Sequence, residues 1–280
     1  MKRTEPKRRR FALSLIEILV VLSIIALLVA ILLPSLSAAR EQAKVAKCLS
    51  NIRGTLHATQ MHLDGDSQKI IPWYRYPAAP GYGVNLFTPS VFGGFKAPLG
   101  LADSHQTDSE LYPAEIRPLN EIVEPLAKGS RIIDLYKCPS DRSFWGYELK
   151  PPPPHARSDG IAAWQADGTS YVLNTNFMRE YSLPSGNLAL QNTETYGRRI
   201  APHLNGGKAS RFITWMEHRF NYLSYRAAPT LAQSQARPQW YGWHRQFSFH
   251  SAGFHDGHAE YRYFDNRLSG GDGWTIWEPK

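Results

Sequence analysis

Hydropathy divides the chain into an apolar run near its start, an amphipathic stretch behind it and a long mixed remainder. From Leu13 to Leu33 every side chain is apolar or a small hydroxyl except Glu17. At about 1.5 Å per residue, a helix of that length reaches roughly 30 Å, the thickness of a bilayer's hydrocarbon core. The pattern therefore predicts one membrane-spanning segment. Beyond Pro34, the residues Val45, Leu49, Ile52, Leu56, Thr59 and Leu63 recur at spacings of three and four. Arg40, Glu41, Lys44, Lys47 and Arg53 lie between them. This predicts that the same helix continues with one stripe facing a core. Asp64-Gly65-Asp66-Ser67 and then Pro72 supply stop signals, ending the helix near His62–Asp66. Gly54 weakens its interior by about 1 kcal/mol relative to Ala, which packing must offset.

From Ile70 to Leu126, Pro, Gly and aromatic residues replace long periodic runs. Loops, short strands and one short helix around Leu119–Ala127 are expected there. Arg131–Tyr136 leads into the turn-like Cys138-Pro139-Ser140-Asp141, and Pro151–Pro154 forms a stiff polyproline connector. Strand candidates are Ser170–Asn174, Arg211–Met216, Gln246–His250 and His258–Phe264, each short, β-branched or aromatic, and bounded by turn residues. Ala259, Tyr261 and Tyr263 alternate with Glu260 and Arg262, as a half-buried antiparallel strand requires. The predicted fold class is α+β: a long N-terminal membrane-spanning helix packed on a C-terminal antiparallel sheet domain with long irregular loops. The expected divisions are a leader over 1–12, a transmembrane half-helix over 13–34, an amphipathic half-helix over 35–66 and a globular domain over 67–280.

Charge sharpens this picture. Of the net +8, the leader carries +5 through Lys2, Arg3, Lys7, Arg8, Arg9 and Arg10 against Glu5, leaving +3 on the remainder. That balance gives little support to nucleic-acid binding, and none is expected. Basic residues before the first apolar segment stay on the cytoplasmic side, so the expected topology is a single pass with the globular domain in the periplasm. Within that segment a carboxylate costs about 2.5–3.5 kcal/mol to insert, so Glu17 calls for a partner charge.

The run Phe11-Ala12-Leu13-Ser14-Leu15-Ile16-Glu17-Ile18-Leu19-Val20-Val21-Leu22 closely resembles the processing signal of type IV prepilins and of the pseudopilins of type II secretion. The resemblance implies cleavage by a prepilin peptidase between Ala12 and Leu13 and N-methylation of Leu13. It implies assembly through Glu17, paired with the N-terminal amine of a neighbouring subunit, and a kinking or loosening proline at Pro34. The implied partners are sister subunits, the peptidase and an inner-membrane assembly platform. It covers about 50 residues and carries Leu13 where the family usually has Phe. The second half resembles the large prepilin-like proteins of planctomycetes. That likeness rests on Cys48-Leu49-Ser50-Asn51, Cys138-Pro139-Ser140-Asp141, Ser170-Tyr171-Val172-Leu173-Asn174 and Phe254-His255-Asp256-Gly257-His258-Ala259-Glu260. That branch usually places a His about nine residues before the Asp-Gly pair. Gln246 stands there, flanked by His244 and His250.

Candidate chemistry beyond the helix has two readings at each place. Cys48 and Cys138 form a disulfide or remain two buried thiols. His250, His255, Asp256 and His258 form a candidate Zn²⁺ site, or else His255-Asp256-Gly257-His258 is a tight turn with Asp-Gly at its apex. Asp265-Asn266-Arg267-Leu268-Ser269-Gly270-Gly271-Asp272-Gly273 offers oxygen ligands to Ca²⁺ or is an ordinary Gly-rich loop. Trp73, Tyr74, Tyr76, Trp240, Tyr241 and Trp243 form a sugar-stacking surface or a packed core. No phosphate loop, nucleophile elbow or paired catalytic carboxylates with recognisable context is present, so no enzyme and no obligate cofactor is expected. The alternative reading is an exported carbohydrate-binding protein or hydrolase, released by signal peptidase after Ser37-Ala38-Ala39 to begin at Arg40.

Overall fold

The computed structural model describes residues 14–65, 90, 92–95, 113–129, 131–142, 162–176, 201–202, 204–224 and 227–277. Ala12 and Leu13, the aromatic group Trp73, Tyr74 and Tyr76, and the polyproline stretch Pro151–Pro154 lie outside the described residues. The chain forms two compact units, Met1–Ala43 and Lys44–Lys280.

The first unit contains the opening turns of helix α1, Leu15–Gly65. Its large apolar side chains from Leu15 to Leu33 are 45–79% exposed, so none of the described residues buries this surface. It is a helix long and apolar enough to cross a membrane. The serines inside the apolar stretch turn their hydroxyls onto the helix itself: Ser23 donates to the Val20 carbonyl and Ser35 to the Leu32 carbonyl, at 2.7 and 2.8 Å. Each satisfies its hydroxyl within the helix, without a partner from outside. Pro34 lies within the helix without ending it. Lacking an N–H, it deprives the Ala30 carbonyl of its usual donor four residues on.

In the second unit, β1 (Tyr171–Leu173), β2 (Ile213–Glu217), β3 (Phe249–Phe254) and β4 (Ala259–Tyr263) form one antiparallel sheet in that order. The remainder of α1 covers one face: Cys48, Ile52, Leu56 and Leu63 pack with Tyr171, Leu173, Trp215 and Ala259. Gly253 of β3 lies directly beneath the helix. A Cβ there would fall 2.3 Å from Ile52 Cγ2 and 2.7 Å from Leu56 Cδ1. The other face holds Val172, Met216, Ala252 and Phe254 against Phe220 of a short helix, α3 (His218–Leu223), and Trp274 of a two-stranded hairpin, β5 (Gly270–Gly271) and β6 (Trp274–Thr275).

Three expectations change. The buried stripe of α1 is more polar than its hydropathy pattern: Asn51 and Thr55 are buried along with the expected Thr59, while Val45 and Leu49 are half-buried. Strand β3 begins later than Gln246 and continues to Phe254. The bend at 255–257 is a three-residue loop, not a two-residue one. Phe254 N–H donates to the His258 carbonyl at 2.8 Å and Gly257 N–H to the Phe254 carbonyl at 3.0 Å, with Gly257 at φ +96°. The left-handed Gly absorbs the extra residue and keeps β3 and β4 in register.

Candidate functional site

The N-terminus of α1 is built by two side chains. Ser14 N–H donates to Glu17 Oε2 at 2.8 Å, and Glu17 N–H donates to Ser14 Oγ at 3.2 Å. This reciprocal pair is a capping box, which satisfies two of the four N–H groups that a helix start leaves open. The signal is legible as Ser-x-x-Glu ahead of an apolar run, and charge reasoning alone overlooks it. Glu17 thus meets a local need of the helix in addition to any partner it finds elsewhere. Its carboxylate also sits where a helix dipole favours negative charge.

A second constellation joins α1 to the sheet domain. Cys48 and Cys138 are bonded as a disulfide, with Cα atoms 5.4 Å apart. One helical turn further on, the Asn51 amide donates to the carbonyls of Asp134 and Lys137, at 3.2 and 2.9 Å. The spacing Cys48-x-x-Asn51 therefore puts a covalent link and a polar clasp on one helix face. Both grip the chain that runs into Cys138. Close approach is possible because residue 54 is Gly: a Cβ there would lie 2.6 Å from Leu135 Cδ1.

Asp141, three residues past Cys138, fixes the other side of that turn. Ala162 precedes helix α2 (Ala163–Asp167) and has no side-chain oxygen to cap it. Asp141 supplies both: Oδ1 accepts from Ala163 N–H at 3.0 Å, and Oδ2 accepts from Trp164 N–H at 3.2 Å and Ser170 Oγ at 2.6 Å. Burial pushes the Asp141 carboxyl up to about 7, against these hydrogen bonds. Ser170 Oγ in turn accepts from Cys138 N–H at 3.0 Å. The motifs around Cys48, Cys138 and Ser170 are thus parts of one joint.

The four residues of the candidate zinc set do not converge. His250 lies inside β3, its Nδ1 3.4 Å from Glu217 Oε2 and its ring stacked on Phe220 at 5.0 Å. Burial works to raise the Glu217 carboxyl, yet His250 and His244 hold it below the usual carboxylate range. His255 Nδ1 contacts Thr214 Oγ1 at 3.2 Å, and burial pushes its imidazole down to about 4. His258 stacks on Phe254 at 4.1 Å and meets Asp256 Oδ1 through Nδ1. In the candidate calcium loop, Arg267 occupies both carboxylate oxygens of Asp265 at 2.9 and 2.7 Å, and Asp272-Gly273 turns the β5–β6 hairpin.

Among the described residues, the metal-ligand types that come together are Cys48, Cys138 and His244, whose ligand atoms all lie within 4.8 Å of one another. The sequence leaves open whether His244 or His250 serves the Asp-Gly motif; the fold carries His244 to the disulfide. Two other buried pairs escaped the sequence reading: His218 with Asp167 at 2.6 Å, and Glu217 with His250. Their partners come from separate elements, so no local spacing announces them. Comparison with protein families, with curated proteins and with solved structures gives no match.

Proposed function

We propose that the chain is a prepilin-like or pseudopilin-like subunit, cleaved between Ala12 and Leu13, N-methylated at Leu13, and assembled through its N-terminal helix into a type IV pilus or type II secretion pseudopilus. The observation that carries this reading is one continuous helix with two surfaces: an uncovered apolar stretch with Glu17 in its first turn, then a stretch seated on an antiparallel sheet. A helix anchored at one end by a disulfide and a sheet leaves its apolar end available for lipid or for sister helices. Glu17 then has a role beyond the cap: with Leu13 as the first residue, an ammonium stands one helical turn from a carboxylate. A stagger between neighbouring subunits pairs them in a low-dielectric setting where each alone is costly. On this reading the protein is held in the inner membrane by a single pass, with its leader cytoplasmic and its sheet domain periplasmic.

Mass spectrometry of the N-terminus, on protein taken from native membranes, tests the proposal. N-methyl-Leu13 is the expected result. A chain starting at Arg40 overturns it in favour of an exported soluble protein.

A further inference from the structure

We propose that the Cys48–Cys138–His244 cluster is a zinc site whenever its disulfide is open, so that the same two sulfurs hold either a covalent bond or a metal ion. The three residues are 0%, 1% and 4% exposed, and His244 Nε2 stands 3.9 Å from Cys138 Sγ. For tetrahedral Zn²⁺ with bonds of about 2.3 Å to sulfur and 2.0–2.1 Å to nitrogen, the sulfur–nitrogen separation is about 3.6 Å. The imidazole already occupies the place of a co-ligand. Two thiolates, one Zn²⁺ and a neutral imidazole also sum to zero charge, which a buried site favours over any charged combination. Water completes the fourth position, as in other sites with three protein ligands.

Each ligand is held by its own support. Cys48 rides on α1, and Cys138 is fixed by Ser170 and by the Asn51 grip on the preceding carbonyl. His244 belongs to a loop closed by a bridge between Tyr241 and Phe247, with Gly242 N–H donating to the Gln246 carbonyl and Arg245 N–H to the Gly242 carbonyl. Arg245 and Ser248 take left-handed backbone at φ +61° and +58°. Non-Gly residues adopt that region at a cost, so the surroundings of the loop must enforce its path. Nothing in the covalent disulfide requires an imidazole beside it. A strained loop that buries a His edge-on to Tyr261, 5.2 Å between ring centres, and aims it at the sulfurs is what a third ligand needs.

The chemistry balances with named reagents. A water-soluble phosphine gives two electrons to the disulfide and takes the oxygen of one water as a phosphine oxide. The protons of that water end on the two thiols. Zn²⁺ displaces both thiol protons as two Zn–S bonds form. Oxidised glutathione reverses the exchange: the two sulfurs pass two electrons to it, rejoin and release the metal, and two protons from solvent complete two reduced glutathiones.

The test uses the full chain in detergent micelles, reduced with phosphine under argon and titrated with Co²⁺ as a visible stand-in for Zn²⁺. Expected are one equivalent bound, a thiolate-to-cobalt charge-transfer band, the intense visible bands of a four-coordinate ion, and displacement by Zn²⁺. The disulfide form should give no such spectrum, and oxidised glutathione should abolish it. His244→Ala should weaken binding by at least the roughly 10–100-fold that even an outer-shell partner contributes. This variant keeps both cysteines, so a melt of its oxidised form reports folding separately from metal. His244→Asn serves if Ala lowers that melt. No thiolate band in the reduced wild type, or an undiminished one in both variants, overturns the proposal.

Discussion

Asp141 and His255 pull the pH dependence of stability in opposite directions. Between about pH 4 and pH 7 the unfolded chain releases the Asp141 proton while the folded chain, whose carboxyl is raised to about 7, retains it. Stability from this group is therefore complete at low pH and lost as pH rises through 7. Three units at 1.36 kcal/mol each set an upper scale of about 4 kcal/mol. His255 does the reverse. Its folded pKa near 4 excludes a proton that the unfolded imidazole binds below about 6.5, so its contribution is lost as pH falls through that window. In the wild type the two partly cancel between pH 4 and 6.5. Urea denaturation followed by Trp fluorescence separates them. The stability lost in Asp141→Asn should be greatest at pH 4 and smaller at pH 7, whereas that lost in His255→Gln should grow from pH 4 to 6.5. A pH-independent penalty for Asp141→Asn would show that the group is ionised throughout, its three donors outweighing burial.

At the scale of elements, the decisive contact is the helix resting on β3. Gly253 is the residue that permits it, and its constraint is space, since any Cβ meets Ile52 and Leu56. Both are core side chains, 0% and 4% exposed, with no solvent to move into. Gly253→Ala should lower stability by about 1–3 kcal/mol, the usual cost of overpacking, read as a drop in the melting temperature. A neutral result would mean that the helix can lift from the sheet. This contact also explains what the sequence hid. The helix, the strand around Ala259–Tyr263 and the Asp-Gly turn follow from periodicity and turn chemistry, which are local. Ser251-Ala252-Gly253 has the small residues of a loop, and it is a strand because a helix covers it closely. Asn51, Thr55 and Thr59 weaken an apolar stripe on paper. In the fold Asn51 reaches two carbonyls, and Thr59 accepts a hydrogen bond from Trp215 Nε1 at 2.9 Å. The Cys48–Cys138–His244 cluster was out of reach for the same reason: its members are brought together by a helix, a turn and a loop far apart in the chain.

For the whole molecule, the question is whether Glu17 does more than cap its own helix, because the cap and the proposed pairing with a neighbour's amine draw on the same carboxylate. The two roles respond differently to substitution. Gln serves in a capping box nearly as well as Glu, since its side-chain oxygen still accepts from the Ser14 N–H. An uncharged amide, however, cannot neutralise an ammonium. Ser14→Ala removes the hydroxyl that accepts from Glu17 N–H, at a cost of about 0.5–2 kcal/mol to the helix start, and leaves the charge intact. If Glu17 pairs subunits, Glu17→Gln should keep its helix content and resist carbonate extraction from membranes like the wild type, yet be missing from sheared filaments and from chemically cross-linked multimers. Ser14→Ala should still assemble. If the cap is its whole role, the order reverses: Glu17→Gln assembles normally and Ser14→Ala is the damaged variant. Cross-linking both variants beside the wild type assigns the carboxylate to a partner subunit or to its own helix.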